Sequence, residues 1–186
     1  MPQSRTVLGC LAPAIVLIAA TGPCRADPYR LDPGHTVASF RCGPFGFGAQ
    51  AGRVTGAHGD VQFDPDHPAD SVVDVSLDMT TLHMDWRVAD GQVRGAAFLD
   101  VDRYPVATFK SRKVQVTGEG TAQVTGDMTL HGVTREVTLT AVIRRSPDAR
   151  LDFSAHGRIR RSDFGIDGST PFLSDTIDLR IEARTF

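Results

Sequence analysis

Side chains that could do chemistry are few and scattered in this chain. The six histidines are His35, His58, His67, His83, His131 and His156. No two of them stand three, four or five residues apart with a further ligand at zinc spacing, so the sequence sets out no metal site. It also lacks a G-x-S-x-G elbow for a hydrolase, a G-x-x-x-x-G-K-[ST] loop for phosphate and a G-x-G-x-x-G turn opening a helix. The run GPFGFG at 43–48 is glycine-rich, but no helix pattern follows it.

The remaining polar clusters have plain structural readings. Asp32 and His35 in DPGHT are spaced to fix a turn through side-chain to backbone hydrogen bonds. In GDMTLHGVTREVTLT, residues 126–140, His131 and Gly132 fall between two alternating runs, where glycine supplies the positive φ of a tight hairpin. His131 is therefore expected on a turn, exposed to solvent. Arg161 and Asp163 in RRSDFG suit an ion pair, a turn bond or contact with a ligand. Cys42 is in phase with Ala38 and Phe40 on an apolar face, where a free cysteine behaves as a small hydrophobe. Its neighbour Arg41 points to the opposite side and is a weak activator of the thiol.

The elements that carry these groups read as strands. In SVVDVSLDM, Val73, Val75, Leu77 and Met79 fall on one side and Val72, Asp74, Ser76 and Asp78 on the other. Such period-two alternation marks a strand with one buried face. It recurs through Ala122, Val124, Gly126, Met128 and Leu130, through Val137 to Ile143, through Leu151, Phe153, Ala155 and Ile159, and through Ile177, Leu179, Ile181 and Ala183. Less regular strands fit Thr36–Cys42, Arg53–Phe63 and Val106–Val116, which makes about eight. Only Met84–Pro105 lacks alternation, with room for one or two short helices before Gly95. Eight one-sided strands with almost no helix to cover them must bury their apolar faces against each other, as a sandwich or a closed barrel. Alternation leaves open which way a barrel's apolar face points. The terminal Phe186 suits an outer-membrane barrel, but Trp86, Tyr29 and Tyr104 are too few aromatic residues for its girdles.

The first 26 residues read as a secretory signal peptide: Arg5, an apolar run over 7–20, and small residues at Cys24 and Ala26. The run is about 14 residues, short of the roughly 20 that a spanning helix needs. Pro23 is a poor residue before a lipid-modified Cys24. Residues 27–186 then form one domain, of ordinary size for burying a core. The whole chain carries a formal net charge of −2, and losing Arg5 and Arg25 takes this to about −4, against a nucleic-acid partner. Of the three cysteines only Cys42 remains, so no intrachain disulfide is available in the periplasm.

Four segments carry a resemblance. YRLDPGHTVASF at 29–40, AAFLDVDRYPVATFKS at 96–111, VTGDMTLHGVTREVTL at 124–139 and GRIRRSDFGI at 157–166 resemble, in order, segments of the YceI-like family of bacterial lipid- or polyisoprenoid-binding proteins. The resemblance implies an all-β fold, an extended, antiparallel, eight-stranded lipocalin-like barrel with one or two short helices. It implies a periplasmic carrier whose apolar pore holds a polyprenyl chain or a ubiquinone-like lipid, with no catalytic residues, no metal and no cofactor beyond that ligand. There is one departure. Where the family has a pattern like F-x-V-x-H-x-G, this chain has FRCGPFGFG, with Cys42, Gly43 and Pro44 around the histidine's place.

The expected ligand-contacting residues are Phe40, Phe45, Phe47, Met79, Met84, Trp86, Phe98, Phe109, Met128, Leu130, Phe153, Phe164 and Phe172, which supply large or adaptable apolar surface. The expected partner is an isoprenoid lipid, with transient membrane contact. Two rival readings are a lipid-acting enzyme whose polar site is assembled by the fold, and a small outer-membrane β-barrel.

Overall fold

The structure, a computed structural model, describes residues 27–43, 50–64, 67–147, 150–168 and 174–186. The expected signal peptide, residues 1–26, lies outside these residues. Alternating apolar side chains do produce strands: β1 (Asp27–Arg30), β2 (Val37–Cys42), β3 (Gln50–Val54), β4 (His58–Phe63), β5 (Val72–Asp78) and the two-residue β6 (His83–Met84). The one α-helix among the described residues, α1 (Arg87–Arg94), follows, and then β7 (Val106–Gly118), β8 (Thr121–Leu130), β9 (Val133–Arg145), β10 (Leu151–Arg160) and β11 (Thr176–Arg184).

All pairings among the described residues are antiparallel, and they form a ring. β1 pairs with β4, β4 with β5, β5 with β7, and the chain then runs as a meander through β8, β9, β10 and β11. β11 lies along β2, and beyond that contact Thr185 bridges Leu31 next to β1. Two further backbone bonds tighten the seam: Asp32 N donates to Arg184 O at 2.8 Å and Phe186 N to Arg30 O at 3.2 Å. β1 and β2 thus act as one line of chain, as do β3 and β4, since β2 pairs β3 where β1 pairs β4. β6 pairs with β3 and continues the line of β5, so the eleven strands run as eight lines around the barrel, where the alternation predicts about eight strands.

Two lines of the ring are interrupted, each for a local reason, and the second of them is the expected strand Arg53–Phe63. Between β1 and β2, Asp32 accepts from Gly34 N at 2.9 Å and holds His35 Nδ1 at 2.6 Å, while the buried Thr36 hydroxyl donates to Asp32 O at 2.8 Å. This is the turn predicted from DPGHT. The hydrogen bond with His35 holds the Asp32 carboxyl below its usual value. That contribution to folding is full above the ordinary carboxylate pKa and is lost as pH falls through the lowered one. The strand expected over Arg53–Phe63 breaks at Gly56, whose φ is +72°. There Thr81 replaces the ladder, accepting from Thr55 N at 3.0 Å and donating to Thr55 O at 2.8 Å.

The segment between β5 and β7 folds as an insertion over one end of the barrel. Met79, Leu82, Met84, Ala89 and Val101 are buried beneath it against Val54 and Ala107. Arg94 reaches from the last turn of α1 to Thr80 O at 2.6 Å and Leu82 O at 3.2 Å, and Asp90 accepts from Met84 N.

At the same end, β8 and β9 are joined by His131 and Gly132, with φ of +53° and +73°. Both residues being left-handed is the geometry of a two-residue type I′ hairpin. The turn is as expected, but His131 is not free in solvent. It is half-buried, with Nδ1 3.2 Å from Phe164 O and its ring edge-on to Tyr104 at 4.8 Å. The sequence of the hairpin alone contains neither partner. A Cβ on Gly132 would lie 2.5 Å from the Tyr104 ring. Gly132→Ala is therefore expected to cost about 1–3 kcal/mol through combined strain and clash, read as a lower denaturation midpoint. A variant as stable as the parent would refute this account of the turn.

Candidate functional site

The inward row of each strand faces a lumen. β5 contributes Val73, Val75 and Leu77, β10 contributes Phe153, Ala155 and Ile159, and β11 contributes Ile177, Leu179, Ile181 and Ala183. With Ala38 and Phe40 of β2, Phe109 of β7 and Leu139 and Ala141 of β9, these enclose a cavity of about 470 Å³. That size is within the range of small-molecule sites. The space stays open because large side chains lie back over glycines. A Cβ on Gly52 would meet the Phe40 ring at 2.5 Å, one on Gly126 the Phe109 ring at 2.8 Å, and one on Gly157 the Leu139 side chain at 2.6 Å. Leu179, Ile181 and Ala155 are accordingly only half-buried, although they point into the barrel.

Nine of the thirteen expected residues line this cavity: Phe40, Met79, Met84, Trp86, Phe98, Phe109, Met128, Leu130 and Phe153. Trp86 stands at the rim with 57% of its surface exposed. Phe164 does not line it. It is 1% exposed and packs in the core with Phe98 and Ile166, because the short 3₁₀ turn Arg161–Phe164 carries it off the strand's inward row. Phe45, Phe47 and Phe172 lie outside the described residues. The aliphatic wall of β5 and β11 was not among the expected residues, although its signal was the same alternation that located the strands.

The lumen is short of polar groups. Gln50, Gln92 and Arg161 reach it, and among the described residues Arg161 is the one charged side chain on its wall. Cys42 also lines it and is buried, and this burial raises the thiol pKa against a weaker opposing pull from the Arg161 charge. No three His, Cys, Asp or Glu side chains cluster to hold a metal among the described residues. The outer wall is the opposite. Lys110 and Asp74 stand 3.1 Å apart, Arg112 and Asp127 2.6 Å, and Arg158 and Asp178 2.7 Å. An outer-membrane barrel turns an apolar band outward, whereas here the apolar face is inside and the charged face outside.

An eight-stranded antiparallel barrel closed around an apolar lumen is a lipocalin-like architecture, built to enclose rather than to span. The chain belongs to the YceI-like family, whose domain matches residues 29–185. A UPF0312 protein of Pseudomonas savastanoi pv. phaseolicola is 34% identical over 181 residues, covering 94% of this chain and 93% of that one. The same fold is seen in Burkholderia cenocepacia BcnA, with a TM-score of 0.77 and 22% identity over 84% of this chain and 99% of that one. It is seen again in a polyisoprenoid binding domain from Saccharophagus degradans, with a TM-score of 0.68 and 16% identity over 87% and 98%.

The buried, pKa-raised Cys42 gives a direct check on the inward phase of β2. A raised pKa lowers the thiolate fraction at any given pH, so a thiol reagent is expected to label native protein slowly near neutrality and quickly once it is denatured. Rapid native labelling would show that Cys42 faces solvent.

Proposed function

We propose that this protein is a periplasmic carrier that holds a long isoprenoid lipid, a polyprenyl chain or a ubiquinone-like molecule, in the barrel lumen. The observation that carries this reading is an almost wholly apolar cavity inside a barrel whose outer wall is charged. Such a vessel keeps an apolar chain from water while itself remaining in water. At about 0.8 kcal/mol per methylene, each five-carbon unit gains roughly 3–4 kcal/mol relative to water before binding costs. The binding property of the Saccharophagus degradans relative supports an isoprenoid, and the signal-peptide pattern of residues 1–26 supports the periplasm.

A carrier suits the lumen better than a lipid-acting enzyme does. Acid–base chemistry calls for paired titratable groups with opposed pKa shifts, and Arg161 stands on the wall without a carboxylate beside it among the described residues. Loading calls for transient contact with a bilayer. Trp86 at the rim and the neighbouring Val88, 73% exposed on α1, are the apolar groups placed to make it.

Filling the lumen tests the reading. Ala155 faces inward between Ala141 and Ile181, whereas His156 faces out. Protein purified from its own host is expected to carry an isoprenoid by extraction and mass spectrometry. Ala155→Trp should lower bound lipid about tenfold or more through overpacking, while His156→Trp retains it. Equal lipid in folded Ala155→Trp and parent, or no lipid in either, would overturn the proposal.

A further inference from the structure

We infer that Arg161 anchors an anionic head group, a phosphate or carboxylate, on the lipid held in the lumen; this rests on the carrier reading above and specifies its ligand class. Arg161 continues the inward row of β10, two residues beyond Ile159 and one past the strand's end at Arg160. It therefore sets a permanent positive charge at the end of an otherwise apolar wall. Its own bonds leave that charge uncompensated. Nη1 donates to Ile166 O at 2.7 Å and Gly168 O at 3.2 Å, and Nε donates to Ser174 O at 3.3 Å. These acceptors are neutral carbonyls, and Nη2 makes none of the three bonds.

Of the nearby acids, Asp178 and Asp175 are held by other arginines, and Asp163 and Asp167 are exposed. Arg158 holds Asp178 at 2.7 Å and Arg160 holds Asp175 at 3.1 Å, both on the outer wall. Asp175 also accepts from Ser162 N at 3.0 Å and Ser162 Oγ at 2.9 Å. So three arginines stand within four residues, and the inward one lacks a carboxylate partner among the described residues. Tying a loop to carbonyls needs donors but not a charge, and a cation beside an apolar cavity is costly unless something neutralises it. A guanidinium with a free edge matches an oxyanion in shape and charge. A polar side chain stands on the same wall: Cys42, which feels the Arg161 charge, is in register with Gln50, and both line the cavity.

Two lipids of equal chain length separate the head from the chain. The full-length mature protein, stripped of lipid, is titrated with geranylgeranyl monophosphate and with geranylgeraniol. The parent is expected to prefer the phosphate by about tenfold or more, and Arg161→Gln to lose that preference while its affinity for the alcohol stays within about twofold. Arg161→Lys, which keeps charge but loses the fork, should retain part of it. Because Arg161 also ties a loop, a second variant leaves those bonds intact. Cys42→Asp places a carboxyl on the lumen wall within the field of the Arg161 charge and should likewise abolish the preference. Equal binding of both lipids by the parent, or a preference that survives in folded Arg161→Gln or Cys42→Asp, shows that Arg161 only ties the loop and overturns the inference while the carrier reading stands. Failure of both lipids to bind overturns the carrier reading, and this inference with it.

Discussion

The structure depends on closure of the backbone hydrogen-bond ring. A sheet with one apolar face and only one short helix cannot cover that face from outside, so it must curl until its first and last strands meet. Here they meet at a seam where the chain's two ends run side by side: Leu31 opposite Thr185, Asp32 bonded to Arg184 and Phe186 bonded to Arg30. The seam is packed as well as hydrogen-bonded. Leu31, Leu151 and Thr185 are buried together, and Leu151 N donates to the Thr185 hydroxyl at 3.0 Å. The turn at Asp32 lets one line of chain serve the seam on one side of the kink and pair with β3 on the other. Without that kink β1 and β2 could not both lie in the ring.

Closure creates a division of labour inside the barrel. One end is capped: the insertion between β5 and β7 buries Val101 and lays Leu82 and Met79 along the end of the lumen, and the turn after β10 buries Phe164 beside Ile166. These contacts resemble an ordinary core and supply ordinary packing stability. The middle is left open because Gly52, Gly126 and Gly157 let Phe40, Phe109 and Leu139 lie against the wall. Apolar surface that stays half-buried in the protein alone has not realised its full transfer free energy, and an apolar guest can realise the rest.

The strands and their phases were legible because alternation is a one-dimensional signal: the rows through Val73, Val124, Phe153 and Ile177 each share one face as read, and the closed barrel turns that face inward. The DPGHT turn was legible for the same reason, since its bonds join residues within four positions of one another. What escaped the sequence depends on three dimensions. His131 is half-buried by Tyr104 and Phe164, which are distant in the chain, and Phe164 leaves the wall because a short 3₁₀ turn ends the strand's period before it. The break at Gly56 answers to Thr81 in another loop. Arg161 was visible as a residue with several roles, but its singular charge emerges only once the neighbouring acids are seen to face outward.

Apolar burial alone does not give such a barrel selectivity. The lipid's competing home is a bilayer, itself an apolar medium, so moving a chain from one to the other gains little and every lipid of similar length gains alike. Discrimination must come from terms that the bilayer interior does not offer. One is shape: a lumen walled by close-packed side chains such as Phe153, Ile177 and Leu179 excludes bulky groups that fluid lipid accepts. The other is the charge at one end of the wall. A head group leaving a bilayer surface gives up water and counterions, so a lumen with no polar group would favour lipids with the smallest head, whereas a fixed guanidinium reverses that order for an anionic one. A barrel whose mostly apolar wall carries one charged side chain among the described residues, Arg161, can therefore accept many chains by their tails and still choose among them by their ends.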